Sequence, residues 1–203
     1  MQMAVSEKLQ TPVYKDEPRS FISGITARHA RTRRRAEELR TDGGQLTTCD
    51  AIVNLLNEAL ASEIACMLRY RRHFYLVRRT GDARLMDELL DRANEEQRHA
   101  DLIAERIVQL GGEPDLSPMG NCDRLCGYAE DSNLADMARE ELMAERLAIQ
   151  AYEDFLQMLG RSDMVTRRLL EEILAEERVH AAELSARFGG LPQHAAAGGQ
   201  QQP

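Results

Sequence analysis

There is no tryptophan in this chain of 203 residues, and aromatic residues make up only 4% of it. Leu, Ala, Glu and Arg dominate instead, a mix that favours helices. Four cysteines in a chain of this size do not make a disulfide framework, which points to the cytoplasm. No stretch approaches 18 uncharged apolar residues, so no transmembrane helix and no membrane partner are expected. The first twenty residues lack the apolar run of a secretory signal. The net charge of −8 argues against general nucleic-acid binding by the body of the protein.

Charge is unevenly spread. Residues 1–45 carry nine Lys/Arg and six Asp/Glu, a balance of +3, which leaves −11 for the remainder. The basic part centres on RHARTRRRAEELR, residues 28–40. It reads as the solvated face of a short helix over about 20–41, or as a basic arm that contacts DNA or a neighbouring subunit. The end of the chain, GGLPQHAAAGGQQQP, is of low complexity. The expected division is therefore an N-terminal extension over 1–45, a helical body over 46–188 and a disordered tail over 189–203.

Four long segments of the body repeat apolar residues with the helical period: about 48–79, 82–110, 133–159 and 162–188. Gly81, Gly111, Gly112, Gly160 and Gly189 punctuate their ends. The first and second segments are joined by a few residues, as are the third and fourth, so each pair should form an antiparallel hairpin. About twenty residues separate the second from the third. Extended, they reach on the order of 70 Å, against about 42 Å for a 28-residue helix. This connection can run the length of a bundle and leave the second and third helices parallel. The expectation is an all-α four-helix bundle of two hairpins joined by a long crossover, with a short N-terminal helix.

Within that frame the chain repeats itself. EEQRHA at 95–100 is echoed by EERVHA at 176–181. Glu63 opens EIACMLRY and Glu145 opens ERLAIQAY, each with a tyrosine seven residues on, Tyr70 and Tyr152. If each hairpin folds at its glycine, Glu63 meets Glu96 and Glu145 meets Glu177 at one height. His99 and His180 lie one turn further along the same faces. These glutamates continue apolar stripes such as Leu56–Leu60–Met67 and Leu142–Ile149–Leu156. Burying four carboxylates unpaired would cost several kcal/mol each. Two divalent cations would balance the four charges, with the two imidazoles as neutral donors. Such a donor set suits iron or manganese better than copper or a thiolate zinc site. The competing reading, a set of surface salt-bridge residues, sits poorly with the matched spacings. A Glu plus Glu-x-x-His, twice, is the arrangement of ferritin-like carboxylate bundles.

Residues 54–184 resemble the bacterioferritins and related ferritin-like proteins in LLNEALASEIACMLRY, EEQRHADLIAERIVQLGGEP, MAERLAIQAY and EEILAEERVHAAEL. The resemblance implies that Glu96 and Glu177 bridge two metal ions, that Glu63 and Glu145 are terminal carboxylates, and that His99 and His180 each bind one metal. It implies a ferroxidase that oxidises Fe(II) with oxygen or peroxide and stores Fe(III) in a homo-oligomeric cage. A rubrerythrin-like peroxidase outside a cage is the alternative, but the two C-x-x-C pairs usual there are missing. Gln97 stands where the family's haem-binding methionine would be, so haem is not expected. The chain ends almost with the fourth helix, which favours twelve subunits over twenty-four. Cys66 and the tyrosines suit core packing or a role beside the metals, and Cys122 and Cys126 read as free thiols. Asp91 and Glu95 either face the cavity and seed mineral or belong to a solvated face. His29, His73 and His194 receive no role.

Overall fold

Thr48 opens the first helix, its side-chain oxygen accepting a hydrogen bond from the Ala51 backbone N–H at 3.2 Å. A computed structural model describes residues 48–116 and 134–188, with Ala30 and Arg34. Four helices lie in them: α1, Cys49–Val77; α2, Ala83–Gln109; α3, Leu134–Leu159; and α4, Met164–Phe188. Asp82 caps α2 through the Leu85 N–H at 3.0 Å, and Asp163 caps α4 through the Thr166 N–H at 3.1 Å. Gly81, Gly111 and Gly160 have φ of 75°, 80° and 56°, the left-handed conformation that glycine supplies beyond a helix end. The N-terminal helix lies outside the described residues except for Ala30 and Arg34, as do most of the crossover and the C-terminal tail.

Side-chain pairs fix the topology. Glu63 meets Tyr152 while Tyr70 meets Glu145, so α1 and α3 are antiparallel. Arg106 bonds Asp163 at 2.7 Å near one end of the bundle, and Arg187 pairs with Glu88 near the other, so α2 and α4 are antiparallel too. Each hairpin is antiparallel across its short turn. Hence α2 and α3 run parallel, and α2 ends at the opposite end of the bundle from where α3 begins. The residues just after α2 lie against α1. The Asn57 amide donates to the Glu113 carbonyl at 3.1 Å, and its oxygen accepts from the Asp115 N–H at 2.7 Å.

The bundle has two unlike ends. Leu56 and Leu60 of α1, Ile103 and Ile107 of α2, Leu159 of α3 and Leu170 and Ile173 of α4 fill one end as a continuous apolar core. The other end holds a buried polar cluster. Arg69 donates from Nε to Glu141 Oε2 at 2.7 Å, and His73 Nδ1 lies 2.5 Å from Glu141 Oε1. All three side chains are almost completely inaccessible. Burial works against both charges, yet Arg69 and His73 hold the Glu141 carboxyl below its ordinary range, and Glu141 holds Arg69 above its own. Beyond this cluster a cavity of about 610 Å³ opens between Leu85, Leu89, Leu134, Met137 and Leu184. Among the described helices, α1 alone is long and apolar enough to cross a bilayer. It is a bundle helix, with Leu56, Leu60, Glu63, Arg69 and His73 all turned inward.

Removing one member of a buried ion pair strands the other. Arg69→Met should cost about 3–5 kcal/mol in chemical denaturation of the metal-free chain. Arg69→Met with His73→Leu and Glu141→Leu should recover most of that loss. Equal destabilisation by the single and triple variants would show that the cluster acts by packing alone.

Candidate metal centre

The four glutamates and two histidines singled out by spacing all lie at mid-height. Glu63, Glu96, His99, Glu145, Glu177 and His180 are each at most 3% exposed. Helical geometry puts them there. Glu96 and His99, like Glu177 and His180, are three residues apart and share one inward face. Glu63 and Glu145 stand opposite, each on the α1 or α3 stripe that packs the core.

They form two overlapping groups, Glu63–Glu96–His99–Glu177 and Glu96–Glu145–Glu177–His180. In each, the candidate ligand atoms lie within 4.8 Å of one another, close enough to hold a metal ion. Glu96 and Glu177 belong to both. Glu177 stands between the imidazoles, Oε1 being 3.1 Å from His99 Nδ1 and Oε2 3.6 Å from His180 Nδ1. The two rings are nearly parallel, at 16°, with centroids 6.4 Å apart.

Ties to the site run crosswise between hairpins. Tyr152 of α3 donates to Glu63 Oε1 of α1 at 2.5 Å, and Tyr70 of α1 donates to Glu145 of α3. The tyrosine seven residues after one glutamate therefore serves the glutamate of the other half. The histidines show the same crossing. His99 Nε2 lies 3.0 Å from Glu176 Oε2 of α4, and His180 Nε2 lies 3.2 Å from Glu95 Oε2 of α2. Neither contact was anticipated from sequence. The available signal was that the glutamate is doubled in both motifs, so each bridging candidate has an acidic neighbour. His73, to which no role was given, is the buried partner of Glu141.

Electrostatics mark the centre as incomplete. Burial raises Glu96 well above the carboxylate range, and the nearby Glu177 and Glu63 add to it. Burial and Glu177 do the same to Glu145. Burial opposes the charge on His99, but Glu177 and Glu63 outweigh it and push the imidazole up to about 11. Glu177 runs the other way: burial disfavours its charge, yet the two imidazoles hold it below the ordinary range. Glu96 Oε1 and His180 Nδ1 are buried without a hydrogen-bond partner. Unsatisfied oxygen and nitrogen atoms converging on one volume, with no thiolate among them, fit iron or another divalent cation of similar preference. Cys66 lies nearby, but burial pushes its thiol well above the usual range and keeps it unreactive.

A four-helix bundle carrying this constellation defines a ferritin-like carboxylate protein. The comparisons agree. The family model for the ferritin-like domain matches residues 53–193. A bacterioferritin from Desulfovibrio desulfuricans is 32% identical over 130 residues, covering 64% of this chain and 69% of its own. The Mycobacterium leprae bacterioferritin is 28% identical over 142 residues, covering 70% and 86%. That of Brucella melitensis is 27% identical over 130 residues, covering 64% and 77%. The chain belongs to the bacterioferritin-like branch of the ferritin-like family.

The pKa shifts dictate a proton balance. A group raised on folding contributes stability that is present below its unfolded value and lost as pH rises through its folded value. Glu96, Glu145 and His99 are of this kind: burial favours the protonated form of the two carboxyls, and His99, pushed up to about 11, holds its proton at pH 7 in the metal-free protein. Glu177 is the opposite, its contribution being lost as pH falls. A divalent cation bound through His99 would displace its proton and favour the ionised form of the two carboxyls, so binding should acidify the solution and tighten as pH rises. Anaerobic Co(II) titration in unbuffered solution at pH 7 measures this directly. Binding without proton release would show the ligands already deprotonated.

Proposed function

We propose that this protein is an iron-storage ferroxidase, which oxidises Fe(II) to Fe(III) at a two-metal centre within each chain and stores the product inside a hollow homo-oligomer. The observation that carries the reading is the sharing of Glu96 and Glu177 by both donor groups. Glu177, which reaches toward both imidazoles, would be able to bridge two metal ions. In this reading Glu63 and His99 complete one position and Glu145 and His180 the other.

Two Fe(II) substrate ions carry two electrons, which suffice to reduce oxygen to hydrogen peroxide or hydrogen peroxide to water. The chain supplies the setting. Four carboxylates match the charge of two divalent ions and favour the ferric state by their negative charge. Tyr70 and Tyr152 hold the two terminal carboxylates in place. Apolar residues on one side and the buried Arg69–Glu141–His73 cluster on the other keep the six donors fixed within the bundle.

Replacing both shared carboxylates, Glu96→Ala with Glu177→Ala, should abolish rapid Fe(II) oxidation followed by ferric absorbance, with helicity unchanged by circular dichroism. Oxidation at the wild-type rate in this double variant would remove the assignment.

Assembly separates storage from the alternative, a peroxidase of the rubrerythrin kind working outside a cage. Twelve chains of 22.9 kDa make a particle of about 275 kDa and twenty-four make about 550 kDa. Light scattering at micromolar concentration should give one of these, with the smaller expected. A monomer or simple dimer would transfer the reading to the non-cage oxidoreductase.

A further inference from the structure

We infer that the cavity at the polar end of the bundle is a dioxygen site, which feeds the oxidant to the metal centre and which Fe(II) does not use. The inference rests on the two-metal ferroxidase reading above.

The cavity joins the bundle end to the centre. Asp82, Leu134 and Arg187 line it where α2 and α3 begin and α4 finishes. Tyr70 and Glu95 line it further in. Tyr70 donates to Glu145, and Glu95 Oε2 lies 3.2 Å from His180 Nε2. From two helices, then, the cavity comes within one side chain of the candidate donors. The opposite end of the bundle is closed by the packed core of Leu56, Leu60, Ile103 and Ile107.

The walls suit a small apolar molecule. Leu85, Leu89, Leu134, Met137 and Leu184 surround about 610 Å³, which is room for about twenty molecules the size of water. Cavities lined by such side chains take up apolar guests in preference to water. Dioxygen is uncharged and weakly hydrated, and partitions the same way.

The same walls reject a hydrated dication, which would lose its water among leucines without replacement. Nor do the acidic side chains at the cavity form a ring that would draw a cation in. Glu88 is matched by Arg187, Glu183 and Glu95 by Arg92, and Glu141 by Arg69. Asp82 is engaged in capping α2. The cavity thus distinguishes the two substrates by polarity, admitting the oxidant and turning away the metal.

Two measurements on the full chain test this. In the metal-free wild type under oxygen pressure, paramagnetic dioxygen should speed methyl relaxation at Leu85, Leu89 and Leu184 beyond that at the similarly half-buried Ile149 and Leu169. It should likewise act on Met137 more than on the equally buried Leu174. The second measurement fills the cavity with Ala138→Phe and Leu89→Phe, at two positions that line it. In stopped-flow oxidation of Fe(II), this variant should raise the apparent KM for oxygen about fivefold or more, with the rate at saturating oxygen within about twofold of wild type. Uptake of two Co(II) ions should be unchanged. Leu89→Met, which conserves volume, should behave as wild type. An unchanged oxygen dependence in the filled variant would overturn the inference. So would a weaker dependence on Fe(II) alone, or slowing confined to oxidation by peroxide. A wild type that oxidises Fe(II) while these methyls sense no oxygen would remove the dioxygen site and leave the ferroxidase standing. A wild type that oxidises no Fe(II) would remove the ferroxidase reading, and the route with it.

Discussion

Four carboxylates at the middle of a helical bundle are the constraint around which this structure is organised. Left alone they would repel one another at short range in a medium that screens poorly. Without metal, burial shifts Glu96 and Glu145 toward the protonated form and His99 keeps its proton, while Glu177 stays ionised between two imidazoles. The charge is reduced but the hydrogen bonding stays incomplete, as Glu96 Oε1 and His180 Nδ1 show. A bound cation would relieve the same repulsion and supply partners for those atoms.

The rest of the bundle isolates that centre. Below it, Leu56, Leu60, Ile103, Ile107, Leu159 and Leu170 provide the apolar burial that offsets the cost of ordering the chain. Above it, Arg69 and Glu141 bury charge a second time, but there the opposite charges meet at hydrogen-bond distance, with His73 on the other Glu141 oxygen. The contrast is informative. Charges that satisfy one another mark a structural tie between α1 and α3, whereas charges of one sign that face each other mark a site. Along the α2–α4 side, Arg98–Glu176, Arg92–Glu183 and Arg187–Glu88 bridge the helices with long polar side chains at the surface.

The six central residues were legible in the sequence because they break a rule twice: charged side chains occupy apolar stripes, and do so at the same spacing in both halves. Helix ends were legible to within about two residues. The first helix stops at Val77, ahead of the expected 79, because Arg79 and Thr80 bond back to Leu76 and Val77 in a tight turn. The Arg69–Glu141–His73 cluster breaks the same rule but does not repeat. Arg69 is also masked by Arg71, Arg72, Arg78 and Arg79, which make arginine unremarkable in that stretch. Glu95 and Glu176 were harder still. A glutamate at the edge of a core stripe resembles any solvated glutamate until the helix that it faces is known.

The two halves are copies in spacing and not in neighbours, and this bears on whether two bound metals could be equivalent. In EEQRHA the arginine stands at position 98, one residue before the histidine, and it reaches across to Glu176. In EERVHA the arginine stands one place earlier, at 178, and the helix turns it outward to Glu153 on α3. Val179 takes the place corresponding to Arg98 and faces solvent at 54% exposed. Glu95 therefore draws its cation from Arg92, a turn earlier on its own helix, and Arg92 also pairs with Glu183. On the His99 side, Glu176 is braced by Arg98, which comes from the helix opposite its own. The His180 side is braced by an arginine that it shares with a further carboxylate, which leaves less positive charge for Glu95. The two metal positions would then differ in the electron density that reaches each imidazole, even though their inner donors match residue for residue.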